Sequence, residues 1–117
     1  MRTHHDLDVW KKSIDFVSDI YKLTERFPSN EQFGLTSQIR RAAISIPSNI
    51  SEGAARNTLK DFNHFLAIAL GSIAELETQL IISRNLEFLS VNDFEFLIEG
   101  LTTVRKMTIG LKKSLKI

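Results

Sequence analysis

Between Leu59 and Leu80, seven apolar side chains recur at alternating intervals of three and four residues: Leu59, Phe62, Leu66, Ala69, Ile73, Leu76 and Leu80. That alternation is the seam of a helix buried against other helices, and it excludes a strand, whose faces alternate at every second residue. Thr58 with Asp61 three residues on is a capping pair that starts the helix. The segment also carries Phe65, Ile68, Leu70, Ala74, Ile81 and Ile82 off the seam, with Gly71 among them. A helix apolar nearly all round needs cover on more than one side. Gly71 and the alanines allow another helix to approach closely.

The cover is present in the rest of the chain. Before the seam, Leu7, Trp10, Ile14, Val17 and Tyr21 form one stripe, and Val9, Phe16, Ile20, Leu23 and Phe27 a second beside it. Phe27-Pro28-Ser29-Asn30 ends that helix, because proline disfavours the helical conformation in the residue before it. A second helix follows with Leu35, Ile39, Ala42, Ala43, Ile46 and Ile50 on its core side. Its polar stripe, Gln38, Arg41, Ser45, Asn49 and Glu52, lies about 110° round from the core. Pro47 falls inside it, where a proline costs about 3 kcal/mol, on a third face with Ile44, Arg40 and Ser51. After the seam, Ser90 and Asp93 cap a last helix whose core side is Phe94, Leu97, Leu101, Val104, Thr108, Leu111 and Leu115. The expectation is an all-α, antiparallel up-down-up-down four-helix bundle. It forms a single domain over residues 1–117, with helices at about 6–27, 33–55, 58–86 and 91–115.

Several classes of chemistry lack their residues. There is no cysteine, hence no disulfide, thiolate nucleophile or cysteine-ligated zinc. Together with the absence of an apolar leader near Met1 and of 18 uninterrupted apolar residues, this leads to the expectation of a cytoplasmic protein with no membrane partner. A di-iron bundle site requires paired Glu-x-x-His motifs; His64 has no such glutamate, and His4 and His5 sit far from it in sequence. The serines lack a glycine-rich elbow or a placed histidine. Glu75 and Glu77 point about 200° apart on their helix. No enzyme, no metal and no cofactor are expected.

What remains is charge distribution and the polar stripe. Net charge is only +1, but the last helix is polarised, with Asp93, Glu95 and Glu99 near its start and Arg105, Lys106, Lys112, Lys113 and Lys116 near its end. The ordering complements the helix dipole. It also makes those five residues, with Arg40 and Arg56 as secondary members, candidates for contact with RNA or DNA phosphates. Gln38, Arg41, Ser45, Pro47, Asn49, Glu52 and Gly53, with Glu75 and Glu77 from the third helix, read as a structural or interface motif. Within it, Ser45 and Ser48 are expected to bond carbonyls around Pro47. Arg41 is expected to pair with Ser45 or Glu52, or with Glu75 or Glu77.

The residues of that motif carry a resemblance. Phe27-Pro28, Glu31-x-Phe33-Gly34-Leu35, Gln38-Ile39-Arg40-Arg41-Ala42, Ser45-Ile46-Pro47-Ser48-Asn49-Ile50 and Glu52-Gly53 resemble the signature of the four-helix-bundle proteins first noted as products of intervening sequences in 23S ribosomal RNA genes. Leu7-x-x-Trp10 and Ala69-x-Gly71-Ser72-x-x-Glu75-Leu76-Glu77-x-Gln79-Leu80 extend the likeness over about residues 7 to 90. The resemblance implies antiparallel bundles assembled as homopentamers, which would give Ile44, Pro47, Ile68 and Ile82 a place to pack. Related accessory proteins of diversity-generating retroelements contact a reverse transcriptase and nucleic acid. Two functions follow as expectations: a nucleic-acid-associated scaffold or adaptor, or a protein-docking module without nucleic-acid contact, akin to those reverse-transcriptase accessory proteins.

Overall fold

The computed structural model describes residues 7–117; His4 and His5 lie outside them. Four helices follow in order: α1 (Asp8–Thr24), α2 (Leu35–Ala54), α3 (Leu59–Asn85) and α4 (Val91–Ser114), with a 3₁₀ turn at Ser29–Glu31. The ends are set by local chemistry. The Thr58 hydroxyl accepts from Asp61 N at 3.1 Å, and the Ser90 hydroxyl from Asp93 N at 3.0 Å. α1 stops at Thr24 rather than running to 27. There Thr24 Oγ1 donates back to Ile20 O at 2.7 Å, and Phe27 turns into the core ahead of Pro28. α2 starts at Leu35 rather than 33, because the Glu31 carboxylate reaches forward to accept from Leu35 N at 3.2 Å. A Cβ on Gly34 would sit 2.8 Å from that carboxylate oxygen, so glycine is what lets the glutamate cap the helix.

Side-chain pairings fix the topology. Along α1 and α2, Thr24 meets Arg40 while Trp10 shares a groove with Ser51. Along α2 and α3, Ser45 meets Ser72 and Gly53 meets Phe65. Along α3 and α4, Arg84 meets Phe94 and Glu77 meets Arg105. Along α1 and α4, Phe16 meets Gly100 and Arg26, just past the end of α1, meets Asp93. In every pair the number falls on one helix as it rises on the other, so all four neighbouring pairs are antiparallel. The diagonal pairs do not meet. The result is an up-down-up-down bundle measuring 44 × 24 × 20 Å.

The core is the inner seam of each helix. Ile20, Ile39, Ile46, Ile50, Leu66, Ile73, Leu76, Leu80, Leu97, Leu101 and Val104 are fully buried. Leu59, at the first turn of α3, stays exposed beyond the end of the packed layer. The α1 stripe headed by Leu7 is only half covered: Leu7 is buried, Trp10 and Val17 are intermediate, and Ile14 and Tyr21 are exposed. By length and composition α3 could cross a membrane, since its best 18-residue window has a mean hydropathy of 1.6. Here α3 packs between α2 and α4, and Ile68, Ile81 and Ile82 on its outer side remain exposed.

Candidate nucleic-acid interface

The basic residues separate into paired and free groups. Arg105 donates to Glu77 Oε2 at 3.4 Å across α4 and α3. Arg56 pairs with Glu52 at 3.0 Å and lies 4.8 Å over the Phe65 ring. Arg40 donates to Thr24 Oγ1 at 2.9 Å and to Tyr21 O at 3.3 Å, with its guanidinium 4.4 Å from the Tyr21 ring centroid. Lys106 is exposed on α4.

Lys112, Lys113 and Lys116 converge. With Asn63 from the first turns of α3 they line a groove of about 370 Å³ whose apolar members are Leu70, Ile109 and Ile117. No carboxylate lines it. α4 ends at Ser114, and Lys116 has φ 53°, a left-handed turn that precedes Ile117 in the groove. Long lysine stems covering apolar surface while the ammonium groups stay in water is the usual behaviour of this side chain. Such a groove can take a strand of phosphates, each ammonium acting as a mobile point charge. Asn63 and Ile117 were not singled out from sequence, and Leu70 only as an apolar residue off the α3 seam. The signal was available in the antiparallel register, which sets the start of α3 against the end of α4.

The polar stripe of α2 is divided as well. Ser45 Oγ and Ser72 Oγ are 2.6 Å apart across α2 and α3. Asn49 Nδ2 donates to Ser45 O at 2.8 Å and to Ser45 Oγ at 3.0 Å. Among the described residues the Ser45 and Ser48 hydroxyls make no bond to a carbonyl around Pro47. The Ser45 hydroxyl meets Ser72 on α3, and the Ser48 carbonyl accepts from Ser51 Oγ at 2.9 Å. The expected partners of Arg41 are also taken. Glu77 holds Arg105, Glu52 holds Arg56, and Glu75 accepts from Gln79 Nε2 at 3.2 Å. Arg41 and Gln38 are exposed, and Arg41 has no ion pair among the described residues. Pro47 is buried beside α1, lining a groove with Trp10, Ile14 and Ile44. At Gly53 α2 and α3 approach closely, since a Cβ there would meet Phe65 Cβ at 2.8 Å.

Among the described residues no group of three metal-ligating side chains comes together. His64 packs edge-on against Phe65, with ring centroids 5.6 Å apart.

The comparisons with known proteins agree with this architecture. The family model described as 23S rRNA-intervening sequence protein matches residues 5–110. Among solved structures, a protein of unknown function from the S23 ribosomal protein family of Bacteroides thetaiotaomicron superposes with a TM-score of 0.83 at 27% identity, covering 90% of this chain and 95% of that one. No curated protein matches the chain.

Proposed function

The chain belongs to the 23S rRNA-intervening sequence protein family, and from that premise we propose that it is a non-enzymatic, homo-oligomeric scaffold that holds nucleic acid. The observation that carries the reading is the carboxylate-free groove of Lys112, Lys113 and Lys116 at one end of the bundle. A chain of net charge +1 binds phosphates through such a local concentration of charge, not through its overall field.

Assembly multiplies that concentration. The outward face of α3 carries Ala67, Gly71, Ala74, Thr78 and Ile81, all exposed and none charged, with exposed Ile68 and Ile82 flanking it on the side where Glu75 is also exposed. Apolar surface of this extent is what subunits bury against one another. A ring, five-membered as the family resemblance implies, would set several lysine grooves side by side. A solution mass matching a single 13.3 kDa chain overturns the assembly.

The test of nucleic-acid binding is its salt dependence. Structured RNA should bind the protein at low salt and dissociate as salt rises. Replacing all three lysines by alanine should flatten the slope of log K against log salt by about 2 to 3. No salt-sensitive binding at micromolar protein would sink the reading. The exposed Ile14 and Ile44 flanking Trp10 and Pro47 would then favour the second function, a module that docks another protein without touching nucleic acid.

A further inference from the structure

At the opposite end of the bundle from the lysine groove, the α1–α2 junction builds a recess of about 520 Å³ lined by Tyr21, Gln32, Phe33, Ser37, Arg40 and Arg41, with Thr36 and Ile44 completing it. We propose that this recess binds an unpaired nucleotide of a nucleic-acid strand, with its base stacked on Phe33 and its phosphate held by Arg41 beside Arg40. The proposal rests on the scaffold function above and places a second, chemically different contact on the same protein.

Phe33 is 91% exposed, far beyond any other aromatic side chain among the described residues. It is not on a frayed end. The turn carrying it is closed by hydrogen bonds from Glu31 N to Pro28 O at 2.9 Å and from Gly34 N to Glu31 O at 3.0 Å. The backbone therefore holds the ring out in water, leaving its faces available to a planar partner. Base–aromatic stacking uses such a platform and tolerates any base.

The charge beside it is positive, with Glu25 in the adjoining groove that shares Gln32, Thr36 and Arg40. No carboxylate lines the recess. Arg40 is fixed by Tyr21 and Thr24, yet neither Arg40 nor Arg41 forms an ion pair among the described residues. Glu31, the acid nearest in sequence to Phe33, is occupied in capping Leu35 N. Guanidinium groups match phosphate oxygens in a two-pronged geometry that ammonium groups lack.

The wall of the recess is polar as well as cationic. Gln32 and Ser37 add donors and acceptors suited to a base edge. An apolar self-interface would instead desolvate two arginines with no acid to receive them, which is unfavourable.

The experiment measures fluorescence anisotropy of labelled 12-nucleotide single strands, ribo and deoxy, and of a duplex of equal length. It uses the wild-type protein, Phe33→Ala, Arg41→Ala and the triple variant Lys112→Ala/Lys113→Ala/Lys116→Ala. Phe33→Ala should weaken single-strand binding about 10- to 100-fold and leave duplex binding unchanged. Arg41→Ala should lower the single-strand salt slope by about 1. The triple variant should weaken both single strand and duplex. A ribo preference identifies RNA as the ligand; equal affinities identify any single strand. Single-strand affinity unchanged in both Phe33→Ala and Arg41→Ala, but lost in the lysine variant, overturns the recess and leaves the scaffold function standing. A lower solution mass for Phe33→Ala with unchanged nucleic-acid binding also overturns it, showing a face between copies. A wild-type protein that binds none of the three probes overturns the scaffold function, and the recess with it.

Discussion

The hydroxyl of Ser45 on α2 lies 2.6 Å from that of Ser72 on α3, while Asn49 donates to Ser45 from one turn further along. This joins the polar stripe of α2 to the flank of the most apolar helix. Ser72 keeps a second bond to Ile68 O at 3.3 Å, so neither hydroxyl depends wholly on the other.

Because the two hydroxyls share one bond, their losses should not add. Ser45→Ala and Ser72→Ala should each destabilise the protein by about 1 kcal/mol. The double variant should cost less than the sum, with a coupling of at least about 0.5 kcal/mol. Urea titration followed by circular dichroism measures all four corners of the cycle. Simple additivity would show the pair to be a coincidence of packing.

Further along α2 from that pair, Gly53 is where the backbone meets Phe62 and Phe65 of α3. Gly53→Ala should destabilise by about 1 to 3 kcal/mol, because the added methyl forces apart two packed helices. Gly110→Ala is the control. Nothing lies within 4 Å of its Cβ position, so relief of glycine's helical entropy cost should stabilise by about 0.5 to 1 kcal/mol. Opposite signs for the same substitution in two helices would separate close approach from propensity. Equal signs would refute the close approach.

These contacts mark the limit of what sequence periodicity reveals. Leu66, Ala69, Ile73, Leu76 and Leu80 are legible as core because helical spacing alone places them on one face. The capping roles of Thr58 and Ser90 are legible for the same local reason. The Ser45–Ser72 bond is not, since its existence depends on how far α2 slides along α3. Helical position leaves Arg41 four candidate partners, Ser45 and Glu52 on its own helix and Glu75 and Glu77 on α3. The acids are taken by others: α4 brings Arg105 to Glu77, while Arg56 and Gln79 reach Glu52 and Glu75 from one turn along their own chain. The recess around Phe33 is less legible still: Tyr21, Phe33 and Arg41 come from three segments, joined by a turn whose shape depends on Glu31 and Gly34.

The α3–α4 turn holds a non-glycine residue in a left-handed conformation. Glu87 has φ 65°, and its neighbour Phe88 donates to Ser83 O at 2.9 Å, closing the helix end. Phe88 then packs on Phe27, with ring centroids 5.6 Å apart. Glycine fits this position without the Cβ clash that an L side chain meets. Glu87→Gly should therefore stabilise by about 1 kcal/mol, seen as a higher urea midpoint with an unchanged slope. A loss of stability would mean that the glutamate side chain contributes more than its backbone strain costs.

Pro47 sets local and assembled structure against each other. In α2 it removes an N–H that would bond to Ala43 O, so Pro47→Ala restores a helical hydrogen bond and relieves a clash of about 3 kcal/mol. The same change deletes a ring that is buried and lines the α1–α2 groove with Trp10, Ile14 and Ile44, a loss of about 1 to 2 kcal/mol. The single chain should come out slightly more stable. If that groove receives a neighbouring subunit, the assembly should weaken at the same time. Analytical ultracentrifugation should then show a lower mass for Pro47→Ala at protein concentrations where the wild type is fully assembled. A more stable variant with an unchanged mass would confine Pro47 to its own helix and remove the α1–α2 groove from the subunit interface.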